Sequence, residues 1–552
     1  MPQNSPDPSS PFSIPVFRAV WITSMASNFG WQVQAVGAAW LMISLAASPL
    51  MVALVQASIA LPIVLLSIFS GAIADSVDRR KVMLGAQFFM LLVSLILAAG
   101  AWFGLLSPWI LLALTFLLGC GIALYTPSWQ TAIGDMVPRA TIPRAVALNS
   151  MSFNLARSFG PALGGAIVAA AGAMVAFLVN ALSYVGLIVV LWRWRPAVAP
   201  SAMPRERIGN AVMAGLRYAA MSPTIGVILL RALLFGLGAS AVPALLPLVA
   251  RDLIHGGPLT YGMLLGGFGA GAVSGALGST WLRGKGDVER IVRIGIAMTA
   301  AGAAGVAANL GLIPTLIALA LSGGGWVIAL STFNATVQMS TPRWVTGRAL
   351  SFYQMAAFAG MTAGSWAFGT LSSHLGLPLA HFIAAGWLAL VTLAGFVLPM
   401  PSVEKLNLDP LDHWAEPETA LAIDGRSGPI AVTIEYQIRE GDVAAFLEAM
   451  DERARIRRRD GARNWSLARD LAKPELWIER YQVPTWSDYV RHNLRRTRED
   501  ASNIERVIAL HAGGSPPRIR RTIERQTNWP WLRRSHAARQ FADPLTDVSQ
   551  IS

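Results

Sequence analysis

The sequence predicts an all-α polytopic membrane protein of twelve transmembrane helices in two six-helix bundles, followed by a small α+β domain. Three observations carry this. Of the 552 residues, 54% are hydrophobic and only 14% charged, and the mean hydropathy is +0.49; soluble domains carry about 25% charged residues. Apolar runs of roughly 20 residues, enough to cross a bilayer, recur as far as residue 400 and then stop. Beyond residue 429, apolar and polar residues alternate as they do in strands. This composition excludes a soluble enzyme, a disordered chain or a disulfide scaffold as the whole molecule. The single cysteine, Cys120, lies in an apolar run and reads as a small filler.

Residues 1–17 form an N-terminal tail rich in Pro and Ser, without the basic start of a signal peptide. Spans follow near 18–46, 49–74, 82–104, 108–127, 146–171 and 173–194. A polar loop, 195–222, separates this half (18–194) from the second (223–400). The second half has spans near 223–250, 258–282, 289–310, 313–337, 347–371 and 378–400. With the N-terminus inside, sixteen Lys and Arg fall in inside loops and one, Arg251, in an outside loop. Loop Lys and Arg stay on the cytoplasmic side, so both termini are expected in the cytoplasm and the protein in the plasma (inner) membrane. The basic excess sits in short loops between apolar runs, so the expected partner is the lipid bilayer and not nucleic acid.

The halves resemble each other. Gln130 pairs with Gln338, Pro138-Arg139 with Pro342-Arg343, and Ala147-Leu148 with Ala349-Leu350, at offsets near half the length of the membrane part. Two parallel repeats place a substrate site between them near the midplane, which is a transporter's architecture.

Two motifs sharpen that reading. After the second span the chain reads Gly71-Ala-Ile-Ala-Asp75-Ser-Val-Asp78-Arg79-Arg80-Lys81. Gly71 permits close helix approach, Asp75 can cap a helix or pair with an Arg, and Arg79 and Arg80 supply the basic end. In the fifth span stands Arg157-Ser-Phe-Gly160-Pro161-Ala-Leu-Gly164-Gly165. Pro161 removes a backbone donor, and Gly160, Gly164 and Gly165 let a neighbouring helix pack tightly. The first string resembles the loop motif of the major facilitator superfamily, departing from it at Ser76 and Asp78. The second resembles the fifth-helix motif of that superfamily's exporters. The strings from Phe153, Leu245 and Thr341 resemble the branch of enterobactin-type exporters and transmembrane secretion effectors. That resemblance implies export by alternating access. It also implies a fourth-span Arg in proton-coupled members, which is missing between Ala113 and Tyr125.

Polar residues inside spans mark function by default. Ser24, Asn28 and Gln32 share one face of the first helix, and Asn334 and Gln338 repeat the spacing in the tenth. These are candidate cavity residues; hydrogen bonds between helices would explain them equally well. Trp40 and Trp326 read as aromatics of the membrane interface or of the cavity. Arg157 and Arg231 lie deep in the fifth and seventh spans, and no Asp or Glu stands well inside any span. Both therefore need carbonyls, water, a loop carboxylate or an anionic substrate. No Walker A string is present, so transport should be secondary. No cofactor and no metal are expected, and a proton stays open as the coupling ion.

Residues 401–428, with Pro401, Pro410 and Pro417, read as a linker. The 429–530 domain begins with a strand from Ile430 to Ile438 and a helix through Val443, Phe446, Leu447 and Met450. Strands at Trp465–Leu471 and Glu475–Val483, a helix capped by Thr485 and a strand near Arg518–Arg525 complete a βαββαβ order, the ferredoxin-like topology. Residues 531–552 form a tail. The order resembles dimeric α/β-barrel domains of the antibiotic-biosynthesis monooxygenase type, which implies a homodimer through this domain as one option. His492, Trp465, Asn464 and His511 are the residues there with chemistry to offer, although core or surface roles suit them better.

The expectation is therefore a secondary exporter of a small amphipathic molecule, such as a siderophore, an antibiotic or a drug-like compound, and not an enzyme. An uptake permease of the same fold, or a membrane-tethered enzyme or sensor working through the C-terminal domain, are the alternatives.

Overall fold

The computed structural model describes residues 11–45, 48–76, 78–138, 141–195, 208–283, 287–342, 344–401, 416–421, 423–495 and 497–524. It has two compact units. The first comprises residues 1–212, 224–338 and 347–402; the second comprises 213–223, 339–346 and 403–552.

The first unit is helical. Its N-terminal half holds α1 (Pro15–Ser44), α2 (Pro49–Ser76), α3 (Arg79–Trp102), α4 (Pro108–Met136) and α5 (Ile142–Arg193). α6 (Ile208–Met221) follows, where the sequence predicts a polar loop, and from residue 213 onward it belongs to the second unit. The C-terminal half holds α7 (Pro223–Ala239), α8 (Ala241–Leu248), a π-turn at Val249–Leu253, α9 (Pro258–Arg283), α10 (Val288–Ala307), α11 (Leu312–Met339), α12 (Thr346–Leu375) and α13 (Leu377–Ala394). Several starts are written in the sequence. Proline stands in the first turn of α1, α4, α5 and α13, where its missing N–H costs nothing. Asp78 and Ser107 cap α3 and α4 by accepting from the N–H of Arg80 and Ile110.

Eight stretches among the described residues are long and apolar enough to cross a membrane. The twelve expected spans are not matched one for one, for two reasons. α1, α9 and α12 are long enough but more polar, and α5 is one unbroken run. At 52 residues α5 would be about 78 Å long if straight, more than twice the hydrocarbon thickness. It turns at Gly172, whose φ of +80° is readily adopted by glycine alone.

Among the described residues the two ends of this unit are packed differently. At the end away from the termini one buried apolar cluster runs across both halves, joining Met42, Val52 and Ala53 to Ala244, Leu245, Leu248 and Phe368. At the opposite end a second cluster, including Phe17, Met83, Trp129, Ile133 and Leu191, lies wholly within the N-terminal half. A buried polar knot adds register: Gln34 of α1 accepts from Ser94 of α3 at 3.0 Å and from Asn180 of α5.

In the second unit, β1 (Ile430–Gln437), α14 (Val443–Arg459), β2 (Arg463–Arg469), β3 (Leu476–Val483), α15 (Trp486–Leu494), α16 (Arg498–Ala509) and β4 (Arg518–Ile523) build a four-stranded antiparallel sheet in the order β2-β3-β1-β4. This is the ferredoxin-like arrangement expected from the strand and helix order. The alternation does its work in β1: Ile430, Val432, Ile434 and Tyr436 form the core with Phe446 and Met450 of α14. One difference stands out. The second helix is two, α15 and α16, because Thr497 and Asp500 form a complete capping box that starts a new helix.

Candidate substrate cavity

A cavity of about 520 Å³ lies between the halves of the first unit. Its wall combines rings with side-chain amides. Trp31, Phe268, Trp326 and Tyr353 supply the rings, and Gln32, Gln56 and Gln354 the amides. Among the described residues its lining includes one cation, Arg157 of α5, and no carboxylate. The Arg157 guanidinium stands 5.6 Å from the centroid of Phe268. Trp326 is held edge-on against Phe235 and Phe268, with centroids 6.0 and 5.9 Å apart. Val52 and Ala244 belong both to the lining and to the cluster that bridges the halves, so that cluster forms one end wall of the cavity.

The fifth-helix motif explains how α5 reaches its neighbours. A Cβ at Gly160 would lie 2.7 Å from the Cβ of Gln32, and one at Gly164 would lie 2.9 Å from the Val33 backbone, both on α1. A Cβ at Gly165 would lie 2.7 Å from the carbonyl of Pro258 at the start of α9. Pro161 lines the cavity. The motif thus packs α5 against α1 within its own half and against α9 of the other half, and positions Arg157 on the same helix.

The remaining expected residues divide. Gln32 lines the cavity, and so does Trp326, for which the sequence allows either the interface or the cavity. Asn28, Asn334 and Gln338 are not among the lining residues; Gln338 donates to Asn334 on an exposed helix face at 2.6 Å. Arg231 is a correction. It is 1% exposed and ion-pairs with Glu289 in the first turn of α10, away from the cavity lining. Glu289 sits at a span's edge and not well inside one, so of the partners that the sequence left open it is the carboxylate near a loop that Arg231 meets. Only the packing of α7 against α10 and the end of α13 buries it. Its carboxylate also accepts from the N–H of Met400 at 2.8 Å, and Arg231 donates to the carbonyl of Leu398 at 3.2 Å. Sequence reasoning missed Gln56 and Gln354. The rule that flags polar residues inside spans would have found them.

In the loop motif, Arg79 pairs with Asp135 at the end of α4 at 2.7 Å. Arg80 donates to the carbonyls of Leu191 and Trp192 at the end of α5. The two arginines thus tie three helix ends of the N-terminal half together. Gly71 and Asp75 fall in the last turns of α2, and their side chains lie outside the described residues.

In the second unit the four chemistry-bearing residues do not converge on one open site. Glu479 of β3 is fully buried and accepts from Arg453 (2.9 Å), Arg457 (3.1 Å), Tyr436 (2.8 Å) and Trp465 (3.2 Å). Burial alone would raise its carboxyl, but the two guanidinium groups overcome that and hold it well below the usual carboxylate range. Arg457 also meets His492 Nε2 at 3.0 Å. A guanidinium only donates, so Nε2 accepts and Nδ1 carries the proton toward the Asp460 carbonyl, 3.3 Å away. Asn464 bonds Gln482 on the surface, and His511 ties the end of β1 to Ser515.

A family model described as transmembrane secretion effector matches residues 7–528. The chain belongs to the transmembrane secretion effector family. It is similar to the MFS-type transporter YfiS of Bacillus subtilis (strain 168), at 26% identity over 61% of this chain and 82% of that one. It is also similar to the enterobactin exporter EntS of Escherichia coli O1:K1, at 28% over 62% and 81%. A third similar protein is the multidrug efflux pump Tap of Mycolicibacterium fortuitum, at 25% over 70% and 96%. Among solved structures, a bacterial homologue of the human lysosomal transporter Spinster superposes with a TM-score of 0.57 at 14% identity, covering 71% of this chain and 97% of that one. The nucleoside transporter NupG superposes with a TM-score of 0.54 at 12% identity, covering 69% and 98%. At such identities the superpositions speak for the fold alone. The family and its relatives make this transmembrane secretion effector a multi-pass membrane transporter of the major facilitator type.

Proposed function

We propose that this secretion effector is a secondary active exporter of a small amphipathic molecule with an aromatic body and an anionic group. It works by alternating access between two bundles of six helices, with both termini in the cytoplasm of the inner membrane. The observation that carries this is the cavity between the halves, walled by rings and amides and holding Arg157 with no carboxylate among the described lining residues. A guanidinium in such surroundings has more to gain from an anionic ligand than it would in water. With the termini inside, the bridged end is the outer one, so the cavity is poised to load from the cytoplasm, as export requires. The resemblance of the fifth-helix motif to that of exporters supports the same direction, and its glycines set the contact of α5 with α9 across the halves.

Inside-out and right-side-out vesicles test the direction, with fluorescein as an anionic aromatic probe and ethidium as a cationic one. Energised accumulation of fluorescein in inside-out vesicles is expected. Accumulation only in right-side-out vesicles makes the protein an uptake permease. An imposed pH gradient in the same vesicles tests the proton as coupling ion, and light scattering of the purified chain tests a homodimer.

A further inference from the structure

The second unit contains more than the C-terminal domain. Residues 213–223 and 339–346 belong to it as well. A ladder of guanidinium groups and rings holds these pieces together. Arg495 lies 4.1 Å from the centroid of Trp344. Trp344 meets Tyr218 edge-on, with centroids 5.7 Å apart. Arg459 stands 5.5 Å from the Tyr218 ring, and its carbonyl accepts from Arg217 Nε at 3.3 Å. The far rung is not a loose surface side chain. Arg459 is fixed by Asp460 and Asp500, each at 2.9 Å, and Asp500 belongs to the capping box that starts α16.

The chain itself says what these pieces lead to. Residues 213–223 end where α7 begins, and 339–346 is the link from α11 to α12. α11 supplies Trp326 to the cavity wall, and α12 supplies Tyr353 and Gln354. Tap is covered over 96% of its length by an alignment that uses 70% of this chain, so a working efflux pump need not match the whole of this chain.

We propose that the C-terminal α+β domain is a built-in regulator that grips the chain links before α7 and between α11 and α12, so that loosening the ladder changes the transport rate without altering the cavity. The proposal rests on the exporter reading. Cation–π contacts of this kind are worth about 0.5–2 kcal/mol, so removing one rung should raise local opening by about two- to thirty-fold.

The test uses the full chain in proteoliposomes, with Trp344→Ala, Arg495→Ala, the double variant and Trp344→Phe. Two quantities are read: amide hydrogen exchange in 213–223 and 339–346, and the initial rate of fluorescein transport at matched abundance. The expected result is faster exchange in both segments in each alanine variant. The double variant should be no faster than the faster single, because the two residues form one rung. Transport should change at least twofold in the same variants, and Trp344→Phe, which keeps a ring, should return both readings toward wild type. Unchanged exchange, additive effects in the double variant, or faster exchange with an unchanged transport rate would each overturn the proposal. A wild-type protein that moves no probe would instead count against the exporter reading, and the exchange result would still decide whether the ladder grips the links.

Discussion

Arg157 and Arg231 look alike in the sequence, each a lone cation deep in an apolar run, yet the fold treats them in opposite ways. Arg231 is sealed among α7, α10 and the end of α13, with Glu289 and a backbone carbonyl as its partners. Arg157 faces a cavity and rests on a ring. A charge with a resident counter-charge holds helices together. A charge left facing a cavity is available to a ligand. Glu479 gives a third case outside the membrane part: two arginines, a tyrosine and a tryptophan all point their donors at one buried carboxylate.

The largest expected effect breaks the comparison at its paired end. Arg231→Leu leaves Glu289 buried without its cation, which should cost about 3–5 kcal/mol and sharply lower the amount of folded protein in the membrane. Combining it with Glu289→Leu removes both charges and should recover much of that loss. Detergent-extracted abundance and thermal midpoint check this; a double variant as poor as the single would mean that the pair is not the reason Arg231 is tolerated.

Glu479→Gln should cost a similar amount, but in the C-terminal domain, where amide exchange in β1 and β3 reports it. The pH dependence follows from the direction of the shift. The folded carboxyl titrates below the unfolded one, whose pKa is about 4.3. Its contribution is therefore fully present above that value and is lost as the pH falls toward the folded pKa. Wild-type exchange in these strands should be equally slow at pH 7 and pH 5, after correction for intrinsic rates, and should accelerate below about pH 4. The glutamine variant should lack this acid step.

Arg157 sharpens the unpaired end. Arg157→Leu should leave abundance unchanged, since among the described residues no counter-charge is orphaned, while transport of fluorescein falls by about ten- to a hundredfold, the 1.5–3 kcal/mol range of a hydrogen bond to a charged group. Ethidium transport should change much less. Arg157→Lys should fall between, because it keeps the charge and loses the planar fork. Equal losses for both probes would turn Arg157 into a structural residue like Arg231.

The smallest effect belongs to the partly exposed pair of the loop motif. Arg79→Ala removes the bond to Asp135, in which both side chains are about one-third exposed, and exposed pairs are worth below about 1 kcal/mol. A shift in midpoint of more than a few degrees would show that this pair holds the N-terminal half more firmly than its exposure suggests.

Much of the molecule was decided along the chain. Runs of apolar residues have no option but to cross a bilayer as helices, because only a helix satisfies its own backbone there. The alternation from Ile430 onward leaves one face of β1 for the core. Gly160, Pro161, Gly164 and Gly165 announce close packing against a neighbouring helix; that there are two such neighbours, α1 and α9, is seen only in the fold. What the chain could not say is which polar residues meet. Asn334 and Gln338 bond each other because four residues make one helical turn, a local fact that passes for a binding face when read alone. Glu289 and Arg231 lie on helices far apart in sequence, and pairing at that range depends on how α7, α10 and α13 pack, which no spacing encodes. The break between α15 and α16 rests on a cap at Thr497 that competes with helix continuation, and the burial around it determines which wins. Sequence period sets what each element is and which face it buries. Only tertiary packing determines which buried charge finds a partner and which is left facing the cavity, because a long-range pair is the product of many apolar contacts and not of the two residues that form it.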